Sequence, residues 1–139
     1  GMLAKVALHC VQTIVPLMPI THQLAYKLSE GLEALGFKIV VPCQTNMVFV
    51  DFSPLKVNDI AEPLLKEKIK ISNTQGSSVC RIVLHYQIPS SVIDTFLSVA
   101  ESVATLHKIE PKTLDSAVCS RSSSVSGSIV DLAGAYPSI

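Results

Sequence analysis

The chain has 139 residues, enough for one domain with a real hydrophobic core and no covalent staples. Its 11 basic and 11 acidic residues cancel, with neither a basic stripe nor an acidic tract, which argues against a nucleic-acid partner. Only 16% of residues are charged, against about 25% in ordinary soluble domains, and mean hydropathy is +0.45. A surface so poor in charge implies contact with membrane or with protein. The sequence reads against membrane. Residues 11–20 come closest to an apolar span, and Gln12, Thr13, Pro16 and Pro19 interrupt them. Residues 2–10 lack a basic region ahead of their apolar part and a small-residue cleavage site, so they do not read as a secretion signal. The expected partner is protein, and a homo-oligomer is expected. Cys10, Cys43, Cys80 and Cys119 form no CxxC pair, so they read as reduced thiols in a cytoplasmic chain.

In chain order, residues 3–15 place Leu3, Val6, Ala7, Cys10, Val11 and Ile14 on one helical face, and Pro16 and Pro19 end that helix. Thr21 is the expected cap of a second helix with the stripe Leu24, Ala25, Leu28, Leu32 and Leu35. Gly36 supplies its left-handed stop. Residues 37–41 and 45–52 alternate as strands, and their short link makes them antiparallel. Asn58 is placed to cap a third helix running to about residue 68, in which Pro63 must lie in the first turn or bend the axis. A short strand over 70–73, a turn over 74–78 and a strand over 79–86 follow. Ser91 and Asp94 then offer a capping box for a last helix with Ile93, Phe96, Leu97, Ala100, Val103 and Ala104 inside.

The expected fold is α+β. A four-stranded antiparallel or mixed sheet is covered by helices on one side, in the order ααββαββα. The organisation expected is leading helices over 1–36, a small α+β domain over 37–107 and a serine-rich tail over 108–139. The tail reads as disordered on composition, with Val125, Ile129, Val130 and Leu132 able to dock as a short element.

Little here can carry chemistry alone. His9, His22, His85 and His107 have no ligand spacing with one another or with the cysteines, so no metal site is expected. There is no nucleophile elbow and no phosphate-binding glycine loop. Asp51 lies in a strand, where capping a nearby helix is its commoner role. Arg81 is left. It sits inside an apolar strand, sharing a face with Val79, Val83 and His85, and its planar fork suits two-point recognition of a carboxylate. The alternative is an internal pair with Asp51 or a glutamate, or a path to solvent. Spacing alone slightly favours that alternative.

Two runs then stand out together: Thr45-Asn46-Met47-Val48-Phe49-Val50-Asp51, preceded by Leu28-Ser29-Glu30-Gly31-Leu32 and Leu35-Gly36, and Arg81-Ile82-Val83-Leu84-His85 some thirty residues on. They resemble the C-terminal part of the threonine aldolases, pyridoxal-phosphate (PLP) enzymes of the aspartate-aminotransferase fold. The similarity runs from about residue 3 to 107. It implies that the chain is the small C-terminal domain with its leading helices, and that Arg81 holds the substrate's α-carboxylate. Leu84 stands where the family has threonine, and the tail has no counterpart. Cleaving a β-hydroxy amino acid into glycine and an aldehyde needs an electron sink. In the family the Schiff-base lysine and the other PLP-binding residues precede the region seen here. The resemblance therefore implies a chain that binds no PLP and does not turn over alone. Two other readings remain: a non-catalytic self-association module, and an unrelated α+β domain that binds a small carboxylate through Arg81.

Overall fold

A computed structural model describes residues 1–72 and 76–112. The chain opens with α1 (Met2–Thr13), a 3-10 turn (Val15–Leu17) and α2 (Met18–Ala34). The two prolines tighten the helical path without ending it. Ile14, Leu17 and Met18 all keep right-handed helical dihedrals, and Pro19 falls in the first turn of α2, where a missing N–H costs nothing. Thr21 is therefore inside α2 and not its cap, and its hydroxyl donates to the Leu17 carbonyl at 3.3 Å. The continuous run Met2–Ala34 holds an 18-residue window long and apolar enough to cross a membrane, by length and composition. That corrects the expectation that no stretch approaches such a length. None of the window is buried in this fold.

Three strands follow the helices: β1 (Lys38–Val41), β2 (Met47–Asp51) and β3 (Val79–Val83), antiparallel in the order β1-β2-β3. A bulge at Val40 shifts the β1–β2 register, so that Ile39 faces Val50 and Val41 faces Phe49. The expected fourth strand is not formed among the described residues. The Ile69 N–H bonds to the Leu64 carbonyl at 2.9 Å. Ile69 and Ile71 pack on the core, and the Ser72 carbonyl accepts the Cys80 thiol at 3.2 Å. This stretch closes a helix and caps a thiol where a ladder was expected. The order is thus ααββαβα, with α3 (Val57–Lys66) between β2 and β3 and α4 (Ser90–Leu106) last.

The helix starts also differ from expectation. Asn58 lies inside α3, and Lys56 stands at its N-cap with its own N–H donating to Asp59 Oδ2 at 2.8 Å. Pro63 lies within α3, not in its first turn. At α4 the N-cap is Pro89 with no side-chain cap. Asp94, expected in a capping box, instead pairs with Lys27 of α2 at 2.5 Å.

All three inner helices stop in one way. The residue after the C-cap takes a positive φ, and the next, apolar residue reaches back to the helix. At α2 Gly36 has φ +94°, Gly36 N–H bonds to the Glu33 carbonyl and Phe37 N–H to the Leu32 carbonyl, each at 3.1 Å. At α3 Lys68 (φ 62°) is followed by Ile69, and at α4 Lys108 (φ 55°) by Ile109, whose N–H bonds to the Ala104 carbonyl at 2.9 Å. Phe37 is fully buried and meets Phe52 edge-on at 5.1 Å, which ties the end of α2 to the end of β2. The stops of α2 and α4 lie against each other, since a Cβ on Gly36 would stand 2.3 Å from the Glu110 carbonyl.

One core unites these parts. Ala25, Leu28 and Leu32 of α2, Ile60 and Leu64 of α3, and Ile93, Phe96 and Ala100 of α4 cover Val48, Val50, Cys80 and Ile82 of the sheet. Gly31 lets α4 approach closely: a Cβ there would meet Leu97 at 2.6 Å. Among the described residues nothing covers the opposite face of the sheet. The serine-rich tail expected from 108 on, with its docking residues Val125, Ile129, Val130 and Leu132, lies outside the described residues beyond 112.

Two expectations follow for stability. Gly36→Ala should lower the unfolding free energy obtained from urea titration by more than about 1 kcal/mol, from the left-handed backbone together with the clash at Glu110. Lys68→Gly, with an open left-handed position, should raise it by up to about 1 kcal/mol. At the end of β2, Asp51 Oδ1 accepts from Ser53 N–H at 3.0 Å and Ser53 Oγ at 2.7 Å. These bonds, more than the nearby Lys38 charge, hold the Asp51 carboxyl below its usual range. The folded-state pKa is the lower one. Its stabilising contribution is thus full above the unfolded value of about 4 and is lost as pH falls through the folded value. Asp51→Asn should flatten the acid limb of a stability–pH curve and leave the neutral region with its slope unchanged.

Candidate functional site

Alternation on β2 and β3 decides what the uncovered face presents. Val48 and Val50 on β2, and Cys80 and Ile82 on β3, turn inward. Met47, Phe49 and Asp51 therefore share the outer face with Val79, Arg81 and Val83, paired across the ladder as Met47–Val83, Phe49–Arg81 and Asp51–Val79. Lys38 joins the row of Asp51 from β1. Arg81 thus stands at the middle of β3, opposite Phe49 and flanked by two exposed valines.

Arg81 has no ion pair among the described residues. The internal partner weighed from the sequence, Asp51, is engaged by Ser53. A guanidinium on an apolar sheet face, exposed and unpaired, is free to meet a carboxylate from outside. His85, in the same run, lies past the end of β3. Its Nδ1 accepts the Gln87 N–H at 3.3 Å, and its ring meets Tyr86 edge-on at 6.4 Å. The end of the ladder is fixed beside it, where Asn46 Nδ2 donates to the Leu84 carbonyl at 2.7 Å and Leu84 N–H to the Asn46 carbonyl at 2.9 Å.

Two concavities lie near this end. One, of about 120 Å3, is lined by Thr21, His22, Asn46 and His85 among others. The other, an open groove of about 360 Å3, is lined by His22, Tyr26, Lys27, Glu30 and Cys43 among others. Sequence reading missed this groove because its members come from one helix face and a link between strands, with no motif spacing. Arg81 lines neither. In the groove, burial pushes the Cys43 thiol above its ordinary pKa, as it does for Cys80, so neither is an activated thiolate. Among the described residues no cluster of three or more His, Cys, Asp or Glu could hold a metal ion.

The described residues do not fit PLP. The cofactor needs a lysine, an acid for its ring nitrogen and a cradle for its phosphate gathered in one enclosed place. Lys27 lines the open groove but is held by Asp94. Lys38 lies on the outer sheet face opposite Asp51. Neither shares an enclosed cavity with Arg81.

No protein-family profile matches the chain. It is 28% identical over 110 residues to a probable low-specificity L-threonine aldolase of Schizosaccharomyces pombe, covering 79% of this chain and 27% of that protein. It is 32% identical over 103 residues to low-specificity L-threonine aldolase 1 of Arabidopsis thaliana, covering 70% of this chain and 28% of that protein. Among solved structures, a NifS-like protein superposes with a TM-score of 0.58 at 20% identity, over 73% of this chain and 31% of its own. That likeness shows the fold. The chain is thus a relative of the threonine aldolases, spanning about a quarter of the length of the curated members it matches.

Proposed function

We propose that this chain is the C-terminal portion of a threonine-aldolase-like, PLP-dependent lyase, in which Arg81 holds the α-carboxylate of a β-hydroxy amino acid. The observation that carries this reading is the exposed Arg81 guanidinium, without an ion pair among the described residues, at the centre of the outer sheet face. The similarity to threonine aldolases over most of the described residues supports it. A carboxylate meeting the two-pronged N–H fork is fixed in position and in plane. Phe49 lies opposite it and Val83 beside it on the same face, apolar surface against which the charged pair would form. The rest of the site, which would enclose substrate and supply the cofactor's lysine, belongs on this reading to chain outside these residues. The chain alone then binds no PLP productively and does not turn over.

Two measurements test this. The isolated chain mixed with PLP should show no absorbance band of a lysine-bound cofactor and no borohydride-fixed adduct at a single lysine. In a chimera that carries this chain in place of the matching segment of the Schizosaccharomyces pombe relative, Arg81→Ala should raise KM about 10- to 150-fold. That is the equivalent of about 1.5–3 kcal/mol for a charge-assisted pair. Unchanged kinetics would remove Arg81 from the site. A second reading, a non-catalytic self-association module on the same fold, is favoured by one feature: α1, which has no buried residue.

A further inference from the structure

Asn46 stands just before β2, and the register of β2 on β3 places it opposite Leu84, one step past the Met47–Val83 pair. Hydrogen-bonded steps alternate along an antiparallel ladder, and the bond from Phe52 N–H to the Ser78 carbonyl at 2.9 Å sets their phase at the far end. A continuing ladder would therefore exchange two main-chain bonds between Asn46 and Leu84. One of them forms: the Leu84 N–H donates to the Asn46 carbonyl at 2.9 Å. The other is supplied by a side chain, because Asn46 Nδ2 donates to the Leu84 carbonyl at 2.7 Å. The chain bends at Thr45 and Asn46, where Thr45 Oγ1 accepts the Met47 N–H at 3.3 Å. The amide thus completes the last rung while the main chain leaves the sheet. Leu84 is buried, so little water is at hand to replace that donor.

We propose that Asn46 is a positioning residue for Arg81, its side-chain amide fixing the end of β3 so that the guanidinium meets a carboxylate in plane. The inference rests on the carboxylate reading of Arg81. Among the described residues β3 is paired with β2 alone. Its path past Arg81 is therefore held by the bonded steps at Cys80, Ile82 and Leu84. The Leu84 step is the last before the chain turns at His85, whose carbonyl accepts the Ile88 N–H at 3.0 Å. A strand end released at that step frays, and Val83, which shares the face of Arg81, moves with it. Two-point recognition needs two N–H donors aligned with two carboxylate oxygens, so a tilt of the strand weakens it. A carboxylate gripped alike in ground and transition states turns that loss into a KM effect.

The test has two arms. In the full chain, Asn46→Ala and Asn46→Asp, which keeps the size and loses the donor, should speed exchange of the Leu84 amide hydrogen about 10-fold and leave the Phe52 amide unchanged. In the chimera with the Schizosaccharomyces pombe relative, Asn46→Asp should raise KM about 3- to 10-fold, the worth of one neutral hydrogen bond, with kcat held within about twofold. In an Arg81→Ala background the same change should raise KM no further, because it acts through that arginine. Should Asn46→Asp fail to fold, Asn46→Ala carries the same cycle. An unchanged KM in the folded variant, where Arg81→Ala raises it, would overturn this inference and leave the carboxylate reading standing. An Asn46 effect undiminished in Arg81→Ala would mark a general loss of stability and overturn it as well, as would an unchanged Leu84 exchange rate. An unchanged KM in Arg81→Ala itself removes the carboxylate reading, and this inference falls with it.

Discussion

The structure depends on β2. Among the described residues it is the strand paired on both sides, and Val48 and Val50 on its inner face are fully buried beneath the helices. Its period of two then dictates everything on the other side: Met47, Phe49 and Asp51 must face out, and the register to β3 forces Val79, Arg81 and Val83 out with them. A slip of one residue would bury Arg81 beneath three helices without a partner, at a cost no core of this size absorbs. Burial of one face therefore positions the arginine on the other.

The helices hold that sheet by the way they end as much as by how they pack. Each inner helix stops on a left-handed residue followed by an apolar one that returns to its last turn: Gly36 with Phe37, Lys68 with Ile69, Lys108 with Ile109. Phe37 carries the stop of α2 to Phe52 beyond β2, and Glu110 closes over Gly36. Surface ion pairs add little. Lys27–Asp94 and Lys112–Glu33 are roughly half exposed, a setting in which such pairs are worth about 0–1 kcal/mol.

Much of this was legible from the sequence because it rests on period and on glycine. The stripe of α2, its stop at Gly36, the pairing of β1 with β2, the inward face of α4 and the face that Arg81 shares with Val79 and Val83 all follow from local pattern. Other features did not, for physical reasons. Pro16 and Pro19 read as breaks, yet a 3-10 turn and a first-turn position absorb both. Lys68 and Lys108 take a conformation that side chains disfavour, so no composition signal marks their helix ends. The strand expected over 70–73 forms no ladder among its described residues: the Ser72 carbonyl accepts the Cys80 thiol, and Ile69 just before it bonds to a helix carbonyl. Asp94 has capping spacing and is drawn to Lys27 across the helix interface. The groove around Cys43 and His22 joins residues that no spacing connects.

On the proposed reading, Arg81 meets a substrate carboxylate on this outer sheet face. The most direct test is a crystal structure of the Schizosaccharomyces pombe relative carrying this chain as its matching segment, with PLP and glycine bound. Both guanidinium nitrogens of Arg81 should then lie within hydrogen-bond distance of the amino acid's carboxylate, with Asp51 still bonded to Ser53. An Arg81 paired with a protein carboxylate, or turned to solvent while another residue holds the glycine, would contradict it.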